Sequence, residues 1–398
     1  MIQPIRKRVA EANNIKVSKC FYTAVFDMNN IMKMASVDHK MNNDGQEYGI
    51  ILTSLKMMGN VLKKKDFDYC IACYDGEGSG VFRWQLYKDY KANRDKNYEN
   101  HDPEMTDYDK KLLDYRRKVL EYSRKKRLEA KGEEKNSKEK EEENFKRQKF
   151  VLQSILDELC IRQYEFDKVE GDDVISNYVK NKKDNEKIVI VSSDKDLTQL
   201  ISDTVIVFNP RKKEFITKDD AVEKIGILPE NIVLEKMICG DASDNIKGVK
   251  GVGNDTLIKL FPNLKTEKVN LEAIINRSKE LLEERKQQKK KPLKSLENII
   301  NGVTDGCQGD KLYEVNRKII DLSTPLLTDE AKETMENESY NVIDTSDRSI
   351  KNVYEITSEN KVNDILDETR FGNMLEPFGR IIMQENRRFE RYKKNSTQ

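Results

Sequence analysis

The chain has 398 residues, 36% of them charged and 37% apolar, and its 72 basic and 71 acidic side chains leave a net charge of +1. That length allows roughly two to three domains, and the charged share, well above the usual ~25%, belongs on solvated helices, on a partner surface or in disorder. No apolar run is long enough to cross a membrane and no signal stretch follows the Met-Ile-Gln-Pro start, so a soluble, cytoplasmic protein is expected, with no membrane partner.

Residues 1–20 are polar and basic and read as an arm. FYTAVFD (21–27) reads as a short buried strand. Residues 47–64 carry helical spacing, with Ile50, Ile51, Leu55, Met58, Val61 and Leu62 on one side. A second strand is expected over 68–75, a third over 187–192 and a fourth over 204–208, with helical patterns over 150–160, 171–180 and 195–201. This alternation predicts an α/β fold with a mostly parallel sheet flanked by helices, whose ligand site lies beyond the carboxyl ends of the strands. Cys70-x-x-Cys73 falls inside an apolar run and reads as buried thiols rather than a zinc site.

Residues 93–149 are dominated by Lys, Arg and Glu and read as a solvated helical hairpin or insert, or as an electropositive lid. Its base mixes aromatics and cations: Phe82-Arg83 and Tyr90-Lys91-Ala92-Asn93-Arg94, a mixture suited to phosphate contact and base stacking. After Pro210 the pattern becomes helical, with a start expected at Thr217 as cap and further helices over 229–239 and 254–261. Between these last two lies Gly248-Val249-Lys250-Gly251-Val252-Gly253, a glycine-rich turn that can offer backbone N–H groups to a phosphate. Beyond 270, Lys289-Lys290-Lys291 reads as a solvated loop or DNA contact, 316–322 as a core element, 370–379 as a last packed segment and 395–398 as frayed. The three organisational units expected are the arm 1–20, an α/β core 21–210 containing the insert, and a mostly helical region 211–398 in which 240–261 carries the glycine turn.

The acids give the chemistry. Asp27 and Asp75 close the first two strands, Glu170, Asp172 and Asp173 lie in VEGDDV, Asp194 and Asp196 follow IVIVSS, and Asp241 and Asp244 lie in CGDASDN. A carboxylate at the end of a buried strand is costly without a cation beside it, and several converging with oxygen donors only point to Mg²⁺ or Mn²⁺. Two such ions about 3.5–4 Å apart can activate water and stabilise the leaving oxygen of a phosphodiester. Helix capping is the plainer explanation for single acids, Asp173 and Asp196 above all. With only two histidines, His39 and His101, both in polar stretches, Ser–His or Cys–His chemistry is disfavoured.

The ordered set Val25-Phe26-Asp27, Tyr74-Asp75, Arg83, Tyr90-Lys91-Ala92-Asn93-Arg94, Val169-Glu170-Gly171-Asp172-Asp173, Ser192-Ser193-Asp194-Lys195-Asp196-Leu197 and Gly240-Asp241-Ala242-Ser243-Asp244-Asn245, with the turn 248–253 behind it, resembles the flap-endonuclease or 5′-nuclease superfamily. Within it the pattern is most similar to the ribonuclease H type of 5′-3′ exonuclease of T-even phages. The resemblance covers 21–261, with a weaker echo at 316–322. It implies a PIN-like core, a helical arch over 93–149 and a helix-hairpin-type DNA-binding region. It also implies a first metal on Asp27, Asp75, Glu170 and Asp172, with Asp173 beside it, and a second on Asp194, Asp196, Asp241 and Asp244. Lys91 and Arg94 would contact the scissile phosphate, Arg83 and Tyr90 would belong to the nucleic-acid surface, and Gly248, Lys250, Gly251 and Gly253 would grip the duplex backbone, with K⁺ on the turn's carbonyls. The implied activity is Mg²⁺-dependent hydrolysis from the 5′ end of RNA–DNA hybrids, flaps and duplex DNA by a monomer that removes RNA primers. The unmatched C-terminal region is a candidate surface for a single-strand-binding protein or sliding clamp. The rivals are a non-catalytic structure-specific DNA-binding protein and a single-strand ribonuclease.

Overall fold

A computed structural model of the chain describes residues 20–42, 44–92, 136–304 and 311–396. The expected arm and most of the expected arch, Arg94 included, lie outside them. Six strands form one sheet: β1 Phe21–Asp27, β2 Tyr69–Asp75, β3 Arg162–Phe166, β4 Glu186–Val191, β5 Val205–Asn209 and β6 Glu214–Ile216, in the order β3-β2-β1-β4-β5-β6. The first five are mutually parallel and β6 is antiparallel to β5. Parallel strands covered on both faces are near-continuous apolar runs; Ala24, Val25 and Phe26 of β1 are fully buried, as are Ile190 and Val191 of β4.

β1 is the point where the strand order reverses, with β2 on one flank and β4 on the other. Crossovers leaving such a point in opposite directions open a crevice at the carboxyl ends. Around it stand α1 Met28–Ala35, α2 Gly49–Leu62, α3 Val81–Leu86, α4 Asn136–Glu158 and α5 Gly171–Lys180. Helices α1, α2 and α4 cover one face, where Ile31, Leu55, Leu152 and Phe26 share a core; α5 covers the other, with Val174, Ile175 and Val25.

β3 and β6 are additions to the expected strands. RQYEF lacks the apolar run of its neighbours, and its polar groups are satisfied only by tertiary partners. The Arg162 guanidinium donates to the carbonyls of Glu338 and Asn341, and Gln163 accepts from the Tyr74 hydroxyl at 2.9 Å. The expected helix start at Thr217 is displaced: Thr217 N donates to Asp220 Oδ1 at 2.7 Å, closing a turn, and α6 runs Ala221–Ile225. Residues 195–201 form a 3-10 segment, Asp196–Leu200, rather than an α-helix.

The rest is helical: α7 Ile232–Cys239, then the short hairpin β7 Gly240–Asp241 and β8 Ile246–Lys247, α8 Asn254–Leu260, α9 Leu271–Gln287, α10 Lys294–Asn301 and α11 Lys311–Ile320. These share a separate core of Ile238, Leu257, Phe261, Leu264, Leu296 and Ile299. Four further helices, α12 Asp329–Glu338, α13 Ile350–Glu359, α14 Glu368–Leu375 and α15 Gly379–Ser396, return to the sheet. Val353, Phe371, Phe378 and Ile381 join the α1/α2 core, and Met335 joins the α5 core. Residues 370–379 are therefore not the last packed segment: Ile381 and Phe389 of α15 are buried too, and the helix continues through the expected frayed residues to Ser396.

Candidate active site

Asp27 ends β1 and at the same time caps α1. Its Oδ1 accepts from Asn30 N at 3.0 Å and its Oδ2 from Ser192 Oγ at 2.7 Å. Each carboxylate oxygen has two lone pairs, so capping leaves both able to take a further ligand. Asn30 in turn ties α1 to the end of β4, accepting from Ser193 N at 2.9 Å. Asp75 ends β2 and accepts from Gly171 N at 2.8 Å, which seats it at the N-terminus of α5, where exposed N–H groups favour an anion. Asp172 lies in the first turn of α5, and Asp194 follows β4 with Oδ1 accepting from Asp196 N at 2.9 Å.

These four acids press on one another. Burial pushes the Asp27 carboxyl up to about 7, against the hydrogen bonds from Ser192 and Asn30, and the charges of Asp194 and Asp75 push the same way. Burial holds Asp172 well above the usual carboxylate range, followed by the charges of Asp194, Asp27, Asp75 and Asp196. Among the described residues no lysine or arginine forms an ion pair with Asp27, Asp75, Asp172 or Asp194. Nor are three of the acids drawn together into a finished ligand shell. A group of oxygen donors with surplus negative charge and no internal cation suits a hard divalent ion.

The other expected ligands are held differently. Glu170 Oε2 accepts from Arg83 Nη1 at 2.8 Å and from the Tyr90 hydroxyl at 3.0 Å, and Oε1 accepts from Lys91 Nζ. Asp173 faces Arg83 with both oxygens, Nη2 to Oδ1 at 2.9 Å, and also accepts from Leu326 N at 3.0 Å. Asp173 thus spends both oxygens on a buried ion pair with Arg83. Arg83 and Tyr90 do not form a nucleic-acid surface: both are buried, and the Arg83 Nε donates to the Ile319 carbonyl at 2.8 Å. Carboxylate partners, not aromatic neighbours, decided their direction.

Lys91 joins the two groups. It adopts φ +52°, in the left-handed region that disfavours a side chain, and its backbone N donates to the Asp244 carbonyl at 2.8 Å. Its ammonium contacts Glu170 and lies 3.6 Å from Asp244 Oδ2. Burial works against that charge, but Glu170, Asp244 and Asp75 outweigh it and hold the lysine protonated well above its ordinary range. Asp196 and Asp241 share another cation that sequence reasoning missed. Lys236 of α7 contacts Asp196 Oδ1 and lies 2.6 Å from Asp241 Oδ2. Burial lifts Asp196 to about 6 in spite of Lys236, whereas Lys236 and Ser243 overcome the burial of Asp241 and hold it at about 2. A charged pair, Glu235-Lys236, inside the otherwise apolar IVLEKMIC was the available signal.

The glycine turn divides as well. Gly248 crosses Gly240 so closely that a Cβ on Gly248 would stand 2.1 Å from the Cys239 carbonyl carbon, so Gly248 serves the β7–β8 crossing rather than a duplex. Lys250 N donates to the Val303 carbonyl and its own carbonyl accepts from Asn298, both at 2.8 Å, which clamps the turn onto the α10 end. Lys250, Gly251 and Gly253 are exposed, and Gly251 has φ +75° with open space beside it.

Residues 21–226 match the family model described as the 5′-3′ exonuclease, N-terminal resolvase-like domain. The chain is 39% identical over 165 residues to a DNA polymerase I of Bacillus subtilis, a match covering 39% of this chain and 19% of the relative. It is 38% identical over 127 residues to a 5′-3′ exonuclease of Buchnera aphidicola subsp. Schizaphis graminum, covering 31% of this chain and 44% of that one. The matches thus span under half the length of these relatives. Among solved structures, the phage T5 5′-exonuclease with bound zinc superposes with a TM-score of 0.50 at 20% identity, over 84% of this chain and 99% of that one. The bacteriophage T5 flap endonuclease, in a complex with DNA and metal ions, gives 0.50 at 19% identity over 85% and 99%. These superpositions support the fold.

Proposed function

Because the chain belongs to the family of 5′-3′ exonuclease N-terminal, resolvase-like domains, we propose that it is a divalent-metal-dependent 5′ nuclease that hydrolyses phosphodiester bonds in flap DNA, duplex DNA and RNA–DNA hybrids. The observation that carries the reading is the group Asp27, Asp75, Asp172 and Asp194, gathered at the strand-order reversal with no paired lysine or arginine among the described residues. These residues would hold Mg²⁺, with Mn²⁺ as substitute. Bound there, a divalent ion supplies an activated water and neutralises charge developing on the phosphate. The protein's own contribution is placement. Ser192 and Asn30 fix the two oxygens of Asp27, Gly171 N fixes Asp75, and Asp172 and Asp194 stand in the first turn of α5 and just past β4. Lys91, whose charge is coupled to Asp75 as well as to Glu170, is the described cation set at the edge of the acids, and offsets charge on a phosphate arriving there. Arg94 shares that task in the same reading.

The exposed Lys250–Gly253 turn contacts the duplex backbone, with K⁺ on its carbonyls, so recognition is of phosphate and shape rather than sequence. Removal of RNA primers in phage-type replication is the role that fits a 5′ nuclease acting on hybrids. The relatives agree in kind: one is named a 5′-3′ exonuclease, and one neighbouring structure holds DNA and metal ions. The test is cleavage of a 5′-labelled flap duplex and a 5′-labelled RNA–DNA hybrid in Mg²⁺, Mn²⁺ and EDTA, with single-stranded RNA as competitor. Short 5′ products that vanish in EDTA and persist against the competitor are expected. Tight binding without cleavage in either metal supports the non-catalytic rival instead, and preferential loss of the single-stranded RNA supports the ribonuclease.

A further inference from the structure

Helix α7 is apolar apart from two adjacent charges, Glu235 and Lys236. The Lys236 side chain is 12% exposed, and its ammonium lies between Asp196 Oδ1 and Asp241 Oδ2. Those are two of the acids for which a second divalent ion is expected by resemblance. An ammonium in contact with two carboxylates is itself a stand-in for a cation, and like charges at this range repel strongly where water is scarce. We propose that Lys236 is a built-in counter-ion for the Asp196–Asp241 half of the site, and that a second divalent ion enters there only by displacing it. The inference deepens the metal-dependent reading above and rests on it.

Three further features agree. Asp27, Asp75, Asp172 and Asp194 have no such occupant among the described residues, so one ion meets no competitor there and the next one does. A lysine, a compact charge on a flexible four-carbon stem, can leave without unfolding its helix, as a bidentate arginine could not. Glu235, beside it in the same cleft, is partly buried, and its carboxylate makes no hydrogen bond or ion pair among the described residues, so the released ammonium has a carboxylate to move to. The expected behaviour is sequential: a tight first class of site and a weaker second class that depends on residue 236.

The test is Mn²⁺ binding to the full chain, followed by the electron-paramagnetic-resonance signal of free Mn²⁺. In Lys236→Gln the second class tightens by about tenfold or more, while Lys236→Arg, which keeps the charge, shows no tightening. Asp27→Asn weakens the first class and serves as the internal reference. If wild type binds no Mn²⁺, the nuclease reading and this inference fall together. If the first class is present and depends on Asp27 but the second is unchanged or weaker in Lys236→Gln, only this inference is overturned. Should Lys236→Gln fail to fold, reductive methylation of the wild-type chain decides the matter. Labelling of Lys236, read by mass spectrometry, is expected to rise when Mn²⁺ is saturating, and no rise overturns the displacement.

Discussion

Asp27, Asp75, Asp172 and Asp194 converge with no lysine or arginine paired to them among the described residues, whereas Glu170 and Asp173 share Arg83, and Asp196 and Asp241 share Lys236. The same residue type, brought to one crevice by one sheet, is stabilised in two ways. In the first group burial, and after it the neighbouring negative charges, raise Asp27 and Asp172. In the second, an internal cation stands against them. On the proposed reading, cation-paired carboxylates build the wall and the others are left to bind a metal. Burial alone does not separate the groups, since Asp27 and Asp173 are both nearly inaccessible. The presence of a cationic partner does.

The sharpest way to break this contrast is to remove a charge from each side. Asp75→Asn, in the unpaired group, should lower single-turnover cleavage by about three orders of magnitude, a loss of roughly 4 kcal/mol of transition-state stabilisation, while flap-DNA binding changes little. An active Asp75→Asn protein would contradict the assignment. Arg83→Met, in the paired group, should act on folding instead. It strands Asp173 in the interior and leaves Glu170 to Lys91 and Tyr90, at a cost of about 3–5 kcal/mol in urea unfolding. A loss below about 1 kcal/mol would show that Arg83 is not the internal cation described.

The difference should also appear with pH. The Asp27 carboxyl is raised from 3.8 to about 7, so the folded chain binds more protons than the unfolded one between those values, and stability falls as pH rises across that window. With EDTA present the melting temperature should therefore drop between pH 5 and pH 7.5. Mg²⁺, which binds the ionised form, should flatten the drop. Equal slopes with and without Mg²⁺ would count against Asp27 as a ligand.

The smallest effect concerns the turn. Gly251→Ala imposes a side chain at φ +75° in open space and should cost about 1–2 kcal/mol of folding stability. Gly253→Ala, with ordinary φ and open space, should be near neutral for folding, and a drop in duplex affinity there would report a close backbone approach. Thermal melts and a binding isotherm separate the two.

Much of the sheet was legible because its strands end in a signal. β1, β2, β4 and β5 are apolar runs long enough to be buried on both faces, and the first two close on an aspartate. β3 was not, because RQYEF is satisfied by Glu338 and Asn341, residues far away in sequence that no local pattern points to. The candidate acids stand out in the sequence by their motifs, Glu235 excepted, but not their division into two groups, since that depends on where Arg83 and Lys236 point. Arg83 beside aromatics looks like a surface patch until its carboxylate partners are known. The helices from 350 onward were unreadable for a related reason: their apolar faces match one layer of a sheet formed at the other end of the chain.

The most direct measurement is an anomalous difference map at the manganese edge from crystals of the full chain grown with limiting Mn²⁺. The contrast drawn here predicts the first peak among Asp27, Asp75, Asp172 and Asp194, with Lys236 still between Asp196 and Asp241. A first peak between Asp196 and Asp241, with none beside Asp27, would contradict it.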